Sequence, residues 1–355
     1  MKKNKFLFCI GLLLTVATIV NAQSVTWISS TEGNVWQKSK VKLQSKSEQN
    51  PVLQVDGTEN GVAFKNWGTT FNELCWDALG LLTRTEQDEI LYNIFSPQGD
   101  LRITRGRISM GANDYARSWY SCDEVEGDFE LRYFNINRDK QTIIPFIRAA
   151  QKYNPNLTFW ISPWCPPSWM KINGDYPVLS SPFNSLSEKQ NYLLYGATGG
   201  QVDENEMKLT GARDGVFPRQ LATTDFMIQD PRYLQTYADY FCRFIDAYKE
   251  QGIPIDMVMY QNEAYSYTPY PGCAWTATGT IRFNKEYLAP TLRQMHPEVK
   301  LYLGTFNTNR QDHVETILAD TALCNCIRGM GFQWEGREIP VSYTHLRAHE
   351  TPEHL

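Results

Sequence analysis

Histidine is scarce in this chain of 355 residues. There are five, and three of them crowd at positions 345, 349 and 354. Only His296 and His313 lie in the body of the sequence, and no Gly-x-Ser-x-Gly turn occurs. A Ser-His-Asp ester hydrolase therefore has little to be built from. Basic excess is lacking too: 34 Lys and Arg stand against 39 Asp and Glu, a formal net charge of −5. With no basic stripe, nucleic acid is excluded as a partner. Cysteine is thin and scattered. Apart from Cys9, the seven at 75, 122, 165, 242, 273, 324 and 326 are odd in number and follow no spacing pattern, which excludes a disulfide scaffold. Cys324-Asn325-Cys326 has no second pair at zinc-ligand spacing. No Gly-rich phosphate loop follows the first apolar run, where Gly61-Val62-Ala63-Phe64 and Trp67-Gly68 stand instead. Neither a metal nor an organic cofactor is expected.

The two ends are unlike the middle. Lys2, Lys3 and Lys5 precede an apolar core from Phe6 to Val20, and Val20-Asn21-Ala22 is a small-residue cleavage site. Residues 1–22 read as a signal peptide too short for a comfortable membrane span. The mature chain is expected to be secreted or periplasmic, with no stable membrane span. From Val341 onward no helical or strand period continues. Residues 341–355 read as a non-native tail resembling translated sequencing-adapter DNA. The natural sequence is expected to stop near Pro340, with the gene truncated there. A polar tail or His-rich tract is the alternative.

What is abundant is aromatic: 13% of residues, with 10 Trp and 19 Tyr. Residues 23–60 carry β-like pieces (Val25–Ile28, Val41–Leu43, Val52–Val55) that suit a small side domain. From residue 61 to 340, short apolar runs near 61–66, 101–110, 157–162, 255–261, 300–306 and 327–334 alternate with helical patterns. Thr85 with Asp88 suggests a capping box before Ile90, Leu91 and Ile94. Residues 140–153 carry Ile143, Ile144, Phe146, Ile147 and Ala150 on a helical period. The clearest helix is 231–251, with Asp230 as N-cap, Pro231 as first residue, an apolar face through Leu234, Tyr237, Phe241, Phe244, Ile245 and Tyr248, and Gly252 closing it. Such alternation predicts an α/β fold, a (β/α)8 TIM barrel that is incomplete, with about six of eight β/α units. The polar stretch 172–229 reads as an enlarged loop after the third barrel strand, on the face where barrels keep their chemistry.

The strand Ile255–Gln261 runs into Asn262-Glu263 and then Tyr265, Tyr267, Tyr270 and Trp275. A carboxyl at the C-terminal tip of a barrel strand is well placed for catalysis, and flat rings pack against sugar faces, so Glu263 reads as a proton donor in glycoside cleavage. The alternative is a glutamate satisfying loop backbone. Arg107, inside an apolar strand, needs a carboxylate partner or an anion. Asp114, at that strand's exit, suits sugar hydroxyls. Trp164 and Trp169 sit in a stiff loop with three prolines, where one is expected to stack on ligand and the other to pack in the core. Trp334 adds to the same rim from the sixth strand.

These segments resemble glycoside hydrolase family 30, which includes glucosylceramidases and microbial endo-β-1,6-glucanases. The resemblance is carried by Asn72-Glu73-Leu74-Cys75-Trp76, by Gly106 to Tyr120, by Ser162 to Lys171, and by Gln261-Asn262-Glu263. It covers residues 24 to 340. It implies that Glu263 is the general acid/base, that Asn262 holds the sugar 2-hydroxyl, and that Arg107, Asp114, Trp164 and Trp334 line the −1 subsite. Ser109 and Ala264 depart from it, standing where the family has proline. In the family the nucleophilic glutamate ends the seventh strand, and the chain leaves the pattern soon after Trp334. Glu335, Glu350 and Glu353 are poor substitutes, so no nucleophile is assigned.

The implied reaction is retaining β-glycosidase chemistry by double displacement, on β-1,6-glucan or a glucosylceramide-like glycolipid. It needs two carboxyls about 5–5.5 Å apart. With one unassigned and an open barrel exposing two unpaired edges, this chain is expected to be inactive and to fold poorly. The competing reading is a non-catalytic glycan-binding protein.

Overall fold

A computed structural model describes residues 24–42, 66–178, 180–184, 225–264, 268–307 and 311–333. The signal segment, the tail 341–355, the centre of the loop after residue 184, and Tyr265, Tyr267, Trp334 and Glu335 lie outside the described residues. The chain divides into two units, Met1–Phe64 and Lys65–Leu355. In the first, β1 (Ser24–Thr31) and β2 (Asn34–Lys42) form an antiparallel hairpin with Val25 opposite Val41 and Trp27 opposite Ser39. Gly33 turns it at φ +78°, where a side chain is disfavoured.

The second unit is built on six parallel strands in chain order: β3 (Gly68–Phe71), β4 (Arg105–Ser109), β5 (Thr158–Ser162), β6 (Ile255–Met259), β7 (Lys300–Phe306) and β8 (Met330–Phe332). Helices join consecutive strands, as parallel pairing requires. This is the incomplete barrel that the alternation predicts. Among the described residues, β3 and β8 each pair with one neighbour. Of the first apolar run, 61–66, residues 61–65 lie outside the described residues, and the first described strand of the sheet is Gly68–Phe71. Thr69, Thr70 and Phe71 register with Gly106, Arg107 and Ile108, and β-branched threonines favour the pleat.

Side chains alternate along each strand, and that alternation divides core from site. Gly106 and Ile108 of β4 and Phe159 and Ile161 of β5 are buried. Phe71 sits with Phe95 and Phe146 from the helices Arg84–Phe95 and Ile143–Gln151, at ring distances of 5.7 and 4.7 Å. The other parity forms a row across the sheet, in which Thr70, Arg107, Trp160 and Met257 are successive partners. Arg105 of that same face donates to Asp256 at 2.6 Å, closing its lower end.

The helix Pro231–Glu250 follows its predicted caps. Asp230 Oδ1 accepts from Arg232 N, and Gly252 has φ +72°. The capping box is displaced. Thr83 and Glu86 make it, with Thr83 N donating to Glu86 Oε2 at 2.8 Å and Glu86 N donating to Thr83 Oγ1 at 3.4 Å. Thr85 is already helical, and Asp88 instead accepts from the Tyr153 hydroxyl at 2.6 Å. The feet of the long loop are pinned together. Ile172 N donates to Phe226 O and Ile228 N to Met170 O, both at 2.9 Å, while buried Lys171 donates to the Tyr176 and Pro177 carbonyls. All seven cysteines of the described residues are free.

Candidate active site

The C-terminal strand ends converge on Arg107. Its Nε and Nη2 donate to Ser162 Oγ of β5 at 3.0 and 2.7 Å, and Nη2 also donates to Asn262 Oδ1 at 2.7 Å. The guanidinium lies 4.8 Å from the Trp160 ring and 4.2 Å from that of Trp164. The carboxylates expected near this cation act on it as neighbouring charges, Glu263 and Asp114, while its direct contacts are of another kind. A hydroxyl, an amide oxygen and two indole faces hold this cation, because a flat delocalised guanidinium can use all three. Burial pushes Arg107 down to about 9, while the charges of Glu263 and Asp114 pull it back up. It stays protonated at neutral pH.

Asn262 is buried, and three donors reach its Oδ1: Arg107, Thr305 Oγ1 at 3.4 Å and Gln333 Nε2 at 3.2 Å. A guanidinium can only donate, so the amide is oriented with its oxygen on Arg107. The Asn262 backbone N–H donates to the Pro163 carbonyl at 2.7 Å. Glu263 follows with φ +49°, a left-handed backbone unusual outside glycine. Its N–H donates to Thr305 Oγ1 at 3.1 Å. Ala264 then donates to the Thr305 carbonyl at 3.0 Å, a bond that the family's proline has no hydrogen to make. Ser109, the other departure, donates to the Gly111 carbonyl at 2.7 Å.

A cavity of about 190 Å³ opens here, lined by Arg107, Asp114, Trp164, Asn262, Glu263 and Tyr270 among others. Five of the six residues singled out in the sequence as catalytic or binding are therefore brought together, and the sixth, Trp334, lies outside the described residues. Thr70, Asn72, Asn113, Tyr115 and Gln333 also line it, none of which had been given a ligand-facing role. The cavity is smaller than the ~300–1,000 Å³ typical of pockets that enclose a whole small ligand. A larger cavity of about 610 Å³ is lined by Lys140, Arg243, Asp246, Lys249 and Glu250, but it lies away from the strand ends and mixes charges without convergent rings.

The aromatics divide. Trp164 reaches the cavity, whereas Trp169 is buried against Phe129 and Tyr233 with its Nε1 donating to the Asp123 carbonyl at 3.1 Å. Tyr270 lines the cavity, and its hydroxyl is pushed up to about 12 by burial first and then by Glu263 and Asp114. Trp275, grouped with it in the sequence, is corrected to core. It is 1% exposed and stacks on Phe283 at 5.2 Å. Glu73 of the first motif is also structural. Burial alone would raise its carboxyl, yet the two-pronged bond from Arg138 and the Arg117 N–H hold it below the ordinary range. Among the described residues, no group of three or more His, Cys, Asp or Glu is placed to hold a metal ion. Among them too, no helix is long and apolar enough to cross a membrane.

Residues 64–181 match the family model described as the glycosyl hydrolase family 30 TIM-barrel domain. The chain is 26% identical over 346 residues to a provisionally named glucosylceramidase 4 of Caenorhabditis elegans, covering 94% of this chain and 58% of that protein. It is 24% identical over 278 residues to the endo-1,6-β-D-glucanase neg1 of Aspergillus fumigatus, covering 77% and 50%. The chain thus spans about half the length of these curated relatives. Among solved structures, SrfJ from Salmonella typhimurium superposes with a TM-score of 0.65 at 19% identity, covering 90% of this chain and 62% of that one. An endo-β1,6-glucanase superposes with a TM-score of 0.60 at 21% identity, covering 80% and 55%. The similarity to family 30, with the first three motifs inside the matched residues 64–181, and the TIM-barrel fold are thereby shown.

Proposed function

We propose that this chain carries the acid/base half of a retaining β-glycosidase site, with Glu263 as the proton donor to the leaving glycosidic oxygen. One observation supports this above others. Glu263 shares a single cavity with Arg107, Asp114, Trp164 and Asn262, drawn from the exits of three strands. Trp164 offers a ring for a sugar face. Asp114 accepts from sugar hydroxyls. The Asn262 oxygen is taken by Arg107, so its amide nitrogen is the end available to a 2-hydroxyl. A carboxyl acts as acid only while it keeps its proton, and a second, anionic carboxyl about 5–5.5 Å away must attack the anomeric carbon. No residue of this chain is assigned that second role. The chain therefore binds the substrate and does not turn it over.

The substrate class is a β-glucoside, a polymeric β-1,6-glucan ahead of a glucosylceramide-like glycolipid. The A. fumigatus relative named for the first and the C. elegans relative named for the second support both. The protein acts outside the cytoplasm, after its N-terminal segment is removed.

Calorimetric titration of the 355-residue chain with β-1,6-glucan oligosaccharides, alongside product analysis on β-1,6-glucan and glucosylceramide, tests this reading. Binding without product is the expected result. Product that survives Glu263→Gln removes Glu263 from its role, and product abolished by it keeps the role but removes the claim of inactivity. Absence of binding to either sugar class sinks the reading altogether.

A further inference from the structure

We propose that Gln261 is a positioning residue of this site, an inference that rests on the glycosidase reading above. Gln261 is fully buried and does not line the cavity. Its side chain nevertheless joins two residues that do, Trp164 and Asn262, to Trp275 in the core behind them. Nε2 donates to the Trp164 carbonyl at 2.7 Å and to the Asn262 carbonyl at 2.8 Å. Oε1 accepts from Trp275 Nε1 at 3.3 Å. Its backbone N–H donates to the Gly304 carbonyl of β7 at 3.2 Å.

The orientation of this amide is fixed by its partners. An indole N–H can only donate and two carbonyls can only accept, so oxygen faces Trp275 and nitrogen faces the carbonyls. The amide thereby sets the spacing between the ring that would stack on the sugar and the turn that carries the acid. Trp275 is the anchor of that arrangement. It is held in the core against Phe283, and its backbone N–H donates to the Ala264 carbonyl at 2.8 Å. The aromatic that the sequence grouped with the sugar cleft thus acts one layer behind it. A buried donor facing two carbonyls also cannot be exchanged for an acceptor without repulsion. The site's geometry therefore depends on the chemical identity of position 261 and not only on its volume.

Gln261→Glu is the discriminating variant. It keeps the shape and the oxygen on Trp275, and it places an acceptor where the nitrogen was. Burial against two carbonyls raises the carboxyl pKa, so near pH ~5 the acid form donates again, whereas near pH ~8 the ionised form cannot. Two readouts on the full 355-residue chain are compared with wild type at both pH values: amide exchange of segments 160–166 and 257–264, and affinity for gentiobiose. The expected result is a variant-to-wild-type exchange ratio of about tenfold at the higher pH, confined to those segments and returning towards one at the lower, with affinity following it. Gln261→Met, which neither donates nor accepts, is expected to lose both at either pH. A ratio independent of pH, a ratio of one throughout, or a loss spread evenly over all six strands overturns the proposal. A wild-type chain that binds no gentiobiose removes the β-1,6-glucan assignment alone, and the exchange ratios then still decide whether Gln261 holds the turn.

Discussion

The Thr305 hydroxyl accepts the backbone N–H of Glu263 at 3.1 Å and donates to Asn262 Oδ1 at 3.4 Å. One side chain of β7 therefore holds the turn that carries the acid, from the neighbouring strand. Thr305→Val keeps the shape and leaves the Glu263 N–H without this acceptor. The expected loss is about 1–3 kcal/mol of stability, together with weaker glucoside binding. Thr305→Ser should recover most of both. Denaturant unfolding and calorimetry on the two variants check it, and a valine variant with unchanged affinity would contradict it.

Arg107→Lys keeps the charge and loses the fork. A lysine cannot bond Ser162 Oγ twice and Asn262 Oδ1 at once, nor lie flat between Trp160 and Trp164. With Asn262 released, affinity for gentiobiose should fall about tenfold or more, and the tryptophan emission of the free protein should change. Unaltered emission and affinity would show that charge alone suffices at this position.

Gly106 separates fold from site. A Cβ there would stand 2.5 Å from Phe71 Cε2 and 2.8 Å from Phe159 Cδ1. Gly106→Ala is expected to lower stability by about 1–3 kcal/mol through overpacking. Its neighbour Arg107 faces the other way, so affinity per folded molecule should be unchanged. The denaturation midpoint and calorimetry together measure the two effects.

Asp139 makes stability fall as pH rises. It is fully buried, accepts from the Tyr120 and Tyr248 hydroxyls at 2.7 and 2.6 Å, and burial foremost pushes its carboxyl up from 3.8 to about 6. A group raised on folding favours the folded state while protonated. Its contribution is full below the unfolded value and is lost as pH climbs through the folded one, an effect on the order of 2–3 kcal/mol. Unfolding free energies at pH ~5 and ~8 should therefore differ less in Asp139→Asn than in wild type. Parallel pH curves would show that the carboxyl is ionised throughout.

The sequence carried the frame because period and caps are local. The helix Pro231–Glu250 was readable from Asp230, Pro231 and Gly252, and β4 to β8 from their apolar runs. The local signals that failed were those with close rivals. Thr83 and Thr85 both offer a cap, and only the pairing with Glu86 decides between them. Glu263, Arg107, Asp114, Trp164 and Asn262 were legible because each is polar or aromatic at a strand exit. Ser162, Gln261, Thr305 and Gln333 were not, although they too are polar residues at strand ends. Which of them meet is set by register across β5, β6, β7 and β8, and register is invisible in a single chain's order. Trp275 was misplaced for the same reason: its partner Phe283 is a core contact across a turn, not a pattern.

The backbone of Glu263 lies at φ +49°, a region that glycine visits freely and other residues occupy under mild strain. Selecting this protein for heat resistance alone would thus offer glycine at 263 as an improvement. A thermally improved lineage could quietly discard the carboxyl proposed as proton donor, so a durability screen on this scaffold needs an activity or binding readout beside it.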